Sequence, residues 1–229
     1  DWQADYEDSN KADGIILLGY GDYHESVERL QRLVEQGTHF VRWGAALPDQ
    51  PGVSIGSDNF QGGFDITGHL LEQGCRRIAF LGHASSHYPE FEERYRGHVE
   101  AMRVAGIEAE PALQHDAITT EQSGHDACAA LLARGERFDA ICAASDLIAI
   151  GAMRALREHG LQVPADVAVT GFDDIPLAGS VSPSLTTVQQ DTKLAGSLLV
   201  DGLIALIRGE VAESRAIPTR LVPRDSSRR

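Results

Sequence analysis

The sequence predicts an α/β fold with parallel β-sheets, and three observations support that prediction. Short apolar runs recur along the chain, and runs of this length suit strands buried on both faces of a parallel sheet. Segments with apolar residues at helical spacing lie between these runs. Strand and helix therefore alternate, which is typical of right-handed crossover connections.

Five strands are predicted from the apolar runs, namely 14–19, 40–43, 77–82, 138–143 and 166–171. Ligands of parallel sheets bind where the strands end. The candidate binding loops are therefore those that follow Leu18, Leu81, Ala143, Thr170 and Val188.

Six helices are predicted from the helical spacing. The first, 22–36, opens with a capping box of Asp22 and Glu25, and the fourth opens with a capping box at 119–122 and runs through Leu132. The other four span 60–73, 91–105, 147–159 and 192–208. A glycine follows each of these four and the first helix, as is common at helix ends.

The charge balance excludes one class of function for the chain by itself. It has 20 Lys and Arg against 34 Asp and Glu, a formal net charge of −14. Affinity for nucleic acid depends on neutralising phosphates with lysine and arginine, and the only adjacent basic pairs are Arg76-Arg77 and Arg228-Arg229. We therefore expect that this chain alone does not bind DNA.

Other sequence features bear on the compartment. No apolar run approaches the roughly 18 residues of a membrane span, and residues 1–5 lack the basic region of a signal peptide. The three cysteines, Cys75, Cys128 and Cys142, form no CxxC pair. These features predict reduced thiols and a cytoplasmic protein without membrane contact.

Two motifs that suggest a cofactor or a metal are incomplete. Gly19-Tyr-Gly21 begins like a dinucleotide-binding fingerprint, but His24 stands where the third glycine belongs. His83 and His87 are four residues apart in a loop, and no carboxylate or cysteine pair completes a ligand set. We therefore expect neither a cofactor nor a metal.

Polar residues at predicted strand ends are the better candidates for a site. Asp173 and Asp174 follow a buried strand, and a carboxylate can bridge two vicinal hydroxyls, although a simple turn cap explains them too. Arg94 lies at the edge of an apolar helix face and could reach a polar ligand or pair with a surface glutamate. Ser145 and Asp146 follow another strand, where helix capping alone would account for both.

Taken together, these pieces resemble the effector-binding core of the LacI/GalR family of bacterial transcriptional regulators. The segments that carry the resemblance include Gly-Phe-Asp-Asp at 171–174 and Thr-Thr-Val-Gln-Gln-Asp at 186–191. In the order of the family, the matching stretches are 12–17, 57–63 with 69–70, 76–82, 94–97, 144–155, 163–174, 183–191 and 220–224. They cover nearly the whole chain.

The resemblance implies a type I periplasmic-binding-protein-like fold of two doubly wound parallel-sheet subdomains. The expected N-terminal subdomain comprises 1–74 and 192–215, the C-terminal subdomain 75–191 and 216–224, and 225–229 is expected to be a disordered tail. The helix-turn-helix domain and the first strand–helix unit of the family are expected to be absent. Segment 1–11 is also too short for the helix that usually leads into Asp-Gly-Ile-Ile.

By the same resemblance, Arg94 corresponds to the family's cleft arginine and Asp173 to its cleft aspartate. Ser145, where some members carry asparagine, is expected to line the same cleft, with Gln190 near it. Trp43 and Phe172 are candidates for stacking on a sugar face. An apolar face with a few fixed polar groups is the chemistry that a sugar requires.

The function expected from the resemblance is that of an effector-sensing core of a regulator, most often a repressor. It binds a small molecule, such as a sugar, as a homodimer and alters operator binding by the absent DNA-binding domain. A periplasmic sugar-binding protein of a transporter is the first alternative, and an enzyme on the same scaffold is the second. No nucleophile–base pair is apparent for catalysis, and the fold alone assigns no chemistry.

Overall fold

A computed structural model describes residues 12–19, 21–46 and 48–228. The chain forms two compact units. Unit 1 contains 12–58, Ser86–Tyr88 and Asp191–Pro218, and unit 2 contains Asn59–Ser85, Pro89–Gln190 and 219–228. Segment 1–11 and Tyr20 lie outside the described residues. Two interpretations of the sequence involve them, namely a segment too short for the usual leading helix and an incomplete dinucleotide-binding fingerprint.

The described residues form strands β1 (Ile15–Leu18), β2 (Phe40–Trp43), β3 (Val53–Ser57), β4 (Ile78–Leu81), β5 (Gln114–His115), β6 (Ala140–Ala143), β7 (Ala168–Thr170), β8 (Thr187–Gln189), β9 (Arg215–Ile217) and β10 (Arg220–Val222). The helices are α1 (Tyr23–Glu35), α2 (Asn59–Glu72), α3 (Pro89–Val104), α4 (Glu121–Ala133), α5 (Asp146–Glu158) and α6 (Thr192–Ile207). No described helix is long and apolar enough to cross a membrane.

Unit 1 is a parallel sheet of four strands in the order β1-β2-β3-β9. Consecutive residues of a strand point to opposite faces, and Phe40 and Val41 accordingly join different clusters. Phe40 packs with Leu30 and Leu33 of α1, whereas Val41 packs with Ile55 and with residues of α6 and β9. Helices thus cover both faces of this sheet.

Unit 2 contains a second parallel sheet, in the order β5-β4-β6-β7, and an antiparallel pair of β8 and β10. A parallel bridge between Thr170 and Thr186 continues the sheet beyond β7. β4 and β6 are buried along their whole length. The carboxyl ends of β4, β6, β7 and β8 therefore supply the loops on which a site can form.

Two helix pairs in unit 2 pack backbone against backbone through glycines. A Cβ atom on Gly97 of α3 would stand less than 3.0 Å from Phe60 O of α2, and one on Gly63 of α2 less than 3.0 Å from Arg94 O. Gly124 and Gly151 allow the same close approach between α4 and α5. The absence of a side chain at these positions sets the spacing of both pairs.

The α/β prediction is confirmed. All five predicted strands and all six predicted helices are present, with ends that differ by no more than two residues. β3, β5, β9 and β10 were not predicted, and β8 was implied only by the binding loop expected after Val188. They have two to five residues each, and β3 carries serine and glycine among its apolar residues, so their periodicity is weak.

The unit boundaries differ from the expected subdomains. Helix α2 belongs to unit 2 because it packs against α3, so the units divide after Asp58 rather than after Gly74. The predicted disordered tail also differs, since Asp225–Ser227 form a 3-10 turn. Ser226 is buried there, and its hydroxyl donates to Val169 O at 2.6 Å.

The N-terminal cap of α4 corrects the predicted capping box. Thr120, not Thr119, is the cap, and its hydroxyl oxygen accepts a hydrogen bond from Ser123 N at 3.1 Å. The side chain of Gln122 does not return to Thr119, because it donates to Asp126 Oδ1 at 2.8 Å. At the start of α1, Asp22 is the cap, as predicted.

The cap assignment leads to a test with a neighbouring control. Thr120→Ala should lower the free energy of unfolding by about 1 kcal/mol, which is typical for loss of a cap. Thr119→Ala, also at an exposed position, should change it by less than about 0.5 kcal/mol. Urea denaturation of both variants measures the difference, and equal losses would contradict the assignment.

Candidate functional site

The site of unit 2 is built around Arg94, which is only 6% exposed. α3 carries this arginine beneath the loops that follow β6 and β7. Its Nε donates to Asn59 Oδ1 at 2.9 Å, and its Nη1 donates to Ala144 O. The guanidinium lies over the Phe172 ring, with 3.7 Å between Cζ and the ring centroid. These contacts fix its plane and direction.

Arg94 keeps hydrogen-bonding capacity after these contacts. A guanidinium has five N–H donors. Within the described residues, Nε and Nη1 of Arg94 have partners and its Nη2 has none. Burial lowers the pKa of Arg94, and the nearby Asp173 carboxylate opposes that effect. An arginine remains charged at neutral pH, so the site offers a fixed cationic donor.

Asp173 supplies the acceptor of the site. Its Oδ1 lies 3.8 Å from Arg94 Nη1 and accepts from Gln190 Nε2 at 2.6 Å. Its backbone N donates to Val188 O at 2.8 Å. Burial raises the pKa of Asp173, whereas Arg94 and Gln190 act in the opposite direction. The side chain remains 25% exposed, so an approaching hydroxyl can reach it.

Asp174, which adjoins Asp173, has a different role. Its Oδ1 pairs with Arg224 Nη2, and its Oδ2 accepts from Gln189 Nε2 at 2.7 Å. Protein groups thus occupy both of its oxygens. Of the two acids that the sequence places after β7, Asp173 has the more exposed side chain.

Five of the six predicted site residues lie in unit 2, and Arg94, Phe172, Asp173 and Gln190 come together there as described. Ser145 is 1% exposed, and its hydroxyl oxygen accepts from Ile148 N at 3.3 Å, which makes it the cap of α5. Phe172 is 2% exposed and lies beneath Arg94, so its ring supports the guanidinium rather than forming an open wall for stacking. Trp43 lies in unit 1, packed against that unit's apolar core.

One residue of the site, Asn59, was missed by the sequence analysis. Asn59, 5% exposed at the start of α2, fixes the Nε side of Arg94. Asp146, which the sequence analysis named among the polar residues at strand ends with helix capping as the alternative, is fully buried at the start of α5. Asn59 lies in the stretch 57–63 that resembles the family. The contact between Asn59 and Arg94 cannot be inferred from the sequence alone.

The paired histidines form no metal centre among the described residues, where no group of three or more His, Cys, Asp or Glu side chains could hold an ion. His87 Nδ1 instead lies 2.8 Å from Asp22 Oδ2, the cap of α1. The three cysteines are buried, and they form no disulfide among the described residues.

The chain is similar in sequence to one family model and to known transcriptional regulators. Residues 67–227 match the periplasmic binding protein-like domain. The chain is 37% identical over 212 residues to the HTH-type transcriptional regulator CelR of Thermobifida fusca, covering 92% of this chain and 60% of CelR. It is 32% identical to GalR of Escherichia coli K12, covering 82% of this chain and 53% of GalR. The chain thus spans just over half the length of these relatives.

Solved structures are similar over nearly the whole chain. A complex of the transcriptional regulator CelR with cellobiose has a TM-score of 0.87 at 34% identity, covering 95% of this chain and 67% of that one. A transcriptional regulator of the LacI family from Sanguibacter keddieii has a TM-score of 0.81 at 32% identity, covering 96% and 79%.

Proposed function

Because the chain belongs to the LacI family and carries its periplasmic binding protein-like domain, we propose that it is the effector-sensing part of a sugar-responsive transcriptional repressor. The observation that carries the proposal is that Arg94, whose Nη2 has no hydrogen-bond partner among the described residues, lies beside the quarter-exposed carboxylate of Asp173. A sugar hydroxyl both donates and accepts, so one fixed donor beside one fixed acceptor suits it. The two charges also balance, which favours an uncharged polyol over an anion.

Cellobiose is the first probe for this site. CelR, a 37% identical relative, has a solved cellobiose complex. Gln190 would orient Asp173 toward a sugar hydroxyl, and Asn59 would do the same for Arg94. Ser145 would support the site as the cap of α5. We assign no ligand contact to Trp43.

The proposed mechanism is a shift of population between conformations. The sugar favours the conformation that it binds more tightly, and in a homodimer this change alters the spacing of two DNA-reading helices on a palindromic operator. The helix-turn-helix region named in the relatives, rather than this acidic chain, would contact the operator in the cytoplasm. The relatives are regulators, which speaks against a transporter's binding protein, and no reaction is assigned to the site.

A ligand-dependent melting experiment tests the proposal. Cellobiose at a hundredfold excess over Kd should stabilise the chain by about 2.7 kcal/mol, a rise in Tm of roughly 5–10 °C. Asp173→Asn should abolish the rise, while Asp201→Asn, on the exposed side of α6, should keep it. Glucose, a sugar phosphate and a purine complete the panel.

Two results would contradict the proposal. A response to the purine or the sugar phosphate but to no neutral sugar would overturn the assigned ligand class. Tight operator binding by this chain at physiological salt would overturn the division of labour between sugar sensing and DNA binding.

A further inference from the structure

The turn that presents Asp173 has an unusual backbone. Asp173 has φ of 119° and Asp174 has φ of 57°, so two consecutive residues with side chains occupy the region that favours glycine. Such conformations cost free energy and persist only where surrounding contacts hold them. The position of the site's acceptor therefore depends on whatever fixes this turn.

Asp146 holds the turn at both ends. Its backbone N donates to Phe172 O at 2.8 Å, before the strained residues, and its Oδ2 accepts from Ile175 N at 2.9 Å, after them. Its Oδ1 accepts from the hydroxyl of Thr187 on β8. Asp146 is completely buried, so these contacts are not exchanged with solvent.

The directions of these contacts match an ionised carboxylate. Ile175 N–H and the Thr187 hydroxyl donate to different oxygens, and only the ionised acid offers two oxygens that act purely as acceptors. Space is reserved for it, because a Cβ atom on Gly171 would lie less than 3.0 Å from Asp146 Oδ1. Asparagine offers only one acceptor oxygen, so its N–H₂ group would face either Ile175 N–H or the Thr187 hydroxyl.

Charged groups surround this carboxylate on several elements. Asp173 and Asp174 on the turn both disfavour its charge. Arg94 on α3 interacts favourably with it, and Arg224 after β10 offsets the charge of Asp174. The protonation of Asp146 is thus electrostatically linked to the acceptor of the site.

Building on the proposed function, we propose that Asp146 is a positioning residue that holds the turn bearing Asp173, so that the geometry of the sugar site and its affinity depend on pH. A proton on Oδ2 of Asp146 would remove the acceptor of Ile175 N–H and release that end of the turn. The bound form of the site is therefore the one with an ionised Asp146, and affinity should increase as pH rises.

The effects of pH on stability and on affinity are expected to have opposite signs. This difference distinguishes a positioning role of Asp146 from a purely structural one. Burial raises the pKa of Asp146 to about 7, with a further increase from Asp173 and Asp174, while the hydrogen bonds from Thr187 and Ile175 oppose it. An acid whose pKa is higher in the folded state destabilises the fold as pH rises from its ordinary value of 3.8 toward 7. On account of this group, stability should thus fall with pH while affinity increases.

The test uses this chain with Asp146→Asn, and with Asp139→Asn as the matched control. Asp139 also accepts two backbone hydrogen bonds in unit 2, from Arg76 N at 2.8 Å and Arg77 N at 3.0 Å. The backbone amide NMR shifts of Asp173 and Ile175 are followed without ligand from about pH 5.5 to 8.5, around the midpoint expected for Asp146. The Kd for cellobiose and the urea stability are measured over the same range.

We expect both amides of the unsubstituted chain to titrate together near neutral pH, and the Kd to fall roughly tenfold across the range, as loss of one hydrogen bond to a charged group implies. Asp146→Asn should remove the amide titration, hold the Kd at its weaker value and flatten the stability slope. Asp139→Asn loses one of its two backbone hydrogen bonds and should lower the overall stability, but it should keep the amide titration and the pH dependence of the Kd.

Amides that do not titrate, or that titrate equally after Asp146→Asn, would overturn the positioning role whether or not cellobiose binds. A titration that requires Asp146, beside a Kd independent of pH, would overturn the link to affinity. A titration that requires Asp146, with no cellobiose binding at any pH, would support the positioning role and contradict the sugar assignment instead.

Discussion

Replacing Arg94 with alanine should abolish cellobiose binding and lower the free energy of unfolding by about 3–5 kcal/mol, the usual cost of removing one partner of a buried ion pair. The guanidinium is held by Asn59 and Ala144, lies on Phe172 and faces Asp173. Its loss leaves Asp173 without a nearby cation in a buried site and removes the donor assigned to the sugar. Urea denaturation and calorimetric titration measure the two effects.

Arg103→Ala is the matched control on the same helix. Arg103 is 70% exposed, and its salt bridge is with Glu100 one turn away, so its loss should change stability by less than about 1 kcal/mol and leave binding intact. Arg94→Lys covers the case in which the alanine variant does not fold, because lysine keeps the charge and loses the planar fork. Cellobiose affinity unchanged in this lysine variant would contradict the role given to the guanidinium.

Gly97→Ala should lower the free energy of unfolding by about 3 kcal/mol or more, at the upper end for overpacking. The new methyl group would meet the backbone of α2 at Phe60 O. A carbonyl within a helix cannot turn away as a side chain can, so α3 must shift as a whole. Because α3 carries Arg94, this variant should also weaken sugar binding.

Gly68→Ala, in α2, is the control with the opposite sign. A Cβ atom at Gly68 has nothing within 4 Å, and replacing a helical glycine with alanine typically stabilises by about 0.5–1 kcal/mol. Thermal melting of the two variants should therefore show shifts in opposite directions. A Gly97→Ala variant as stable as the unsubstituted chain would contradict the assigned role of the close helix contact.

The sequence predicted those parts of the fold that repeat a local signal. Buried apolar runs revealed the central strands, and the glycines at positive φ, such as Gly37 and Gly160, marked helix ends. Two adjacent threonines can each be the N-terminal cap of α4 by residue type. The sequence analysis therefore placed the cap on Thr119 instead of Thr120. β9, with three residues, has too little pattern to be recognised before its partner β3 is known.

The candidate site was predicted through its charged residues and not through its supports. Arg94 and Asp173 lie in recognisable segments, whereas the groups that fix Arg94 are 35 and 50 residues away along the chain. The burial of Phe172 and Ser145 depends on packing around them, which residue type alone does not reveal. Supporting contacts of this kind require the three-dimensional structure.

The discontinuity of unit 1 has a consequence for biosynthesis. Ser54 N donates to Ser214 Oγ across 160 residues of sequence, and β9 pairs with β3. On the ribosome, the sheet of unit 1 must therefore wait for β9 with one edge unpaired, while β4 to β7 of unit 2 can already assemble. Long-range pairing of this kind slows folding, so the chain should mature from its middle outward, with the earliest strands protected last.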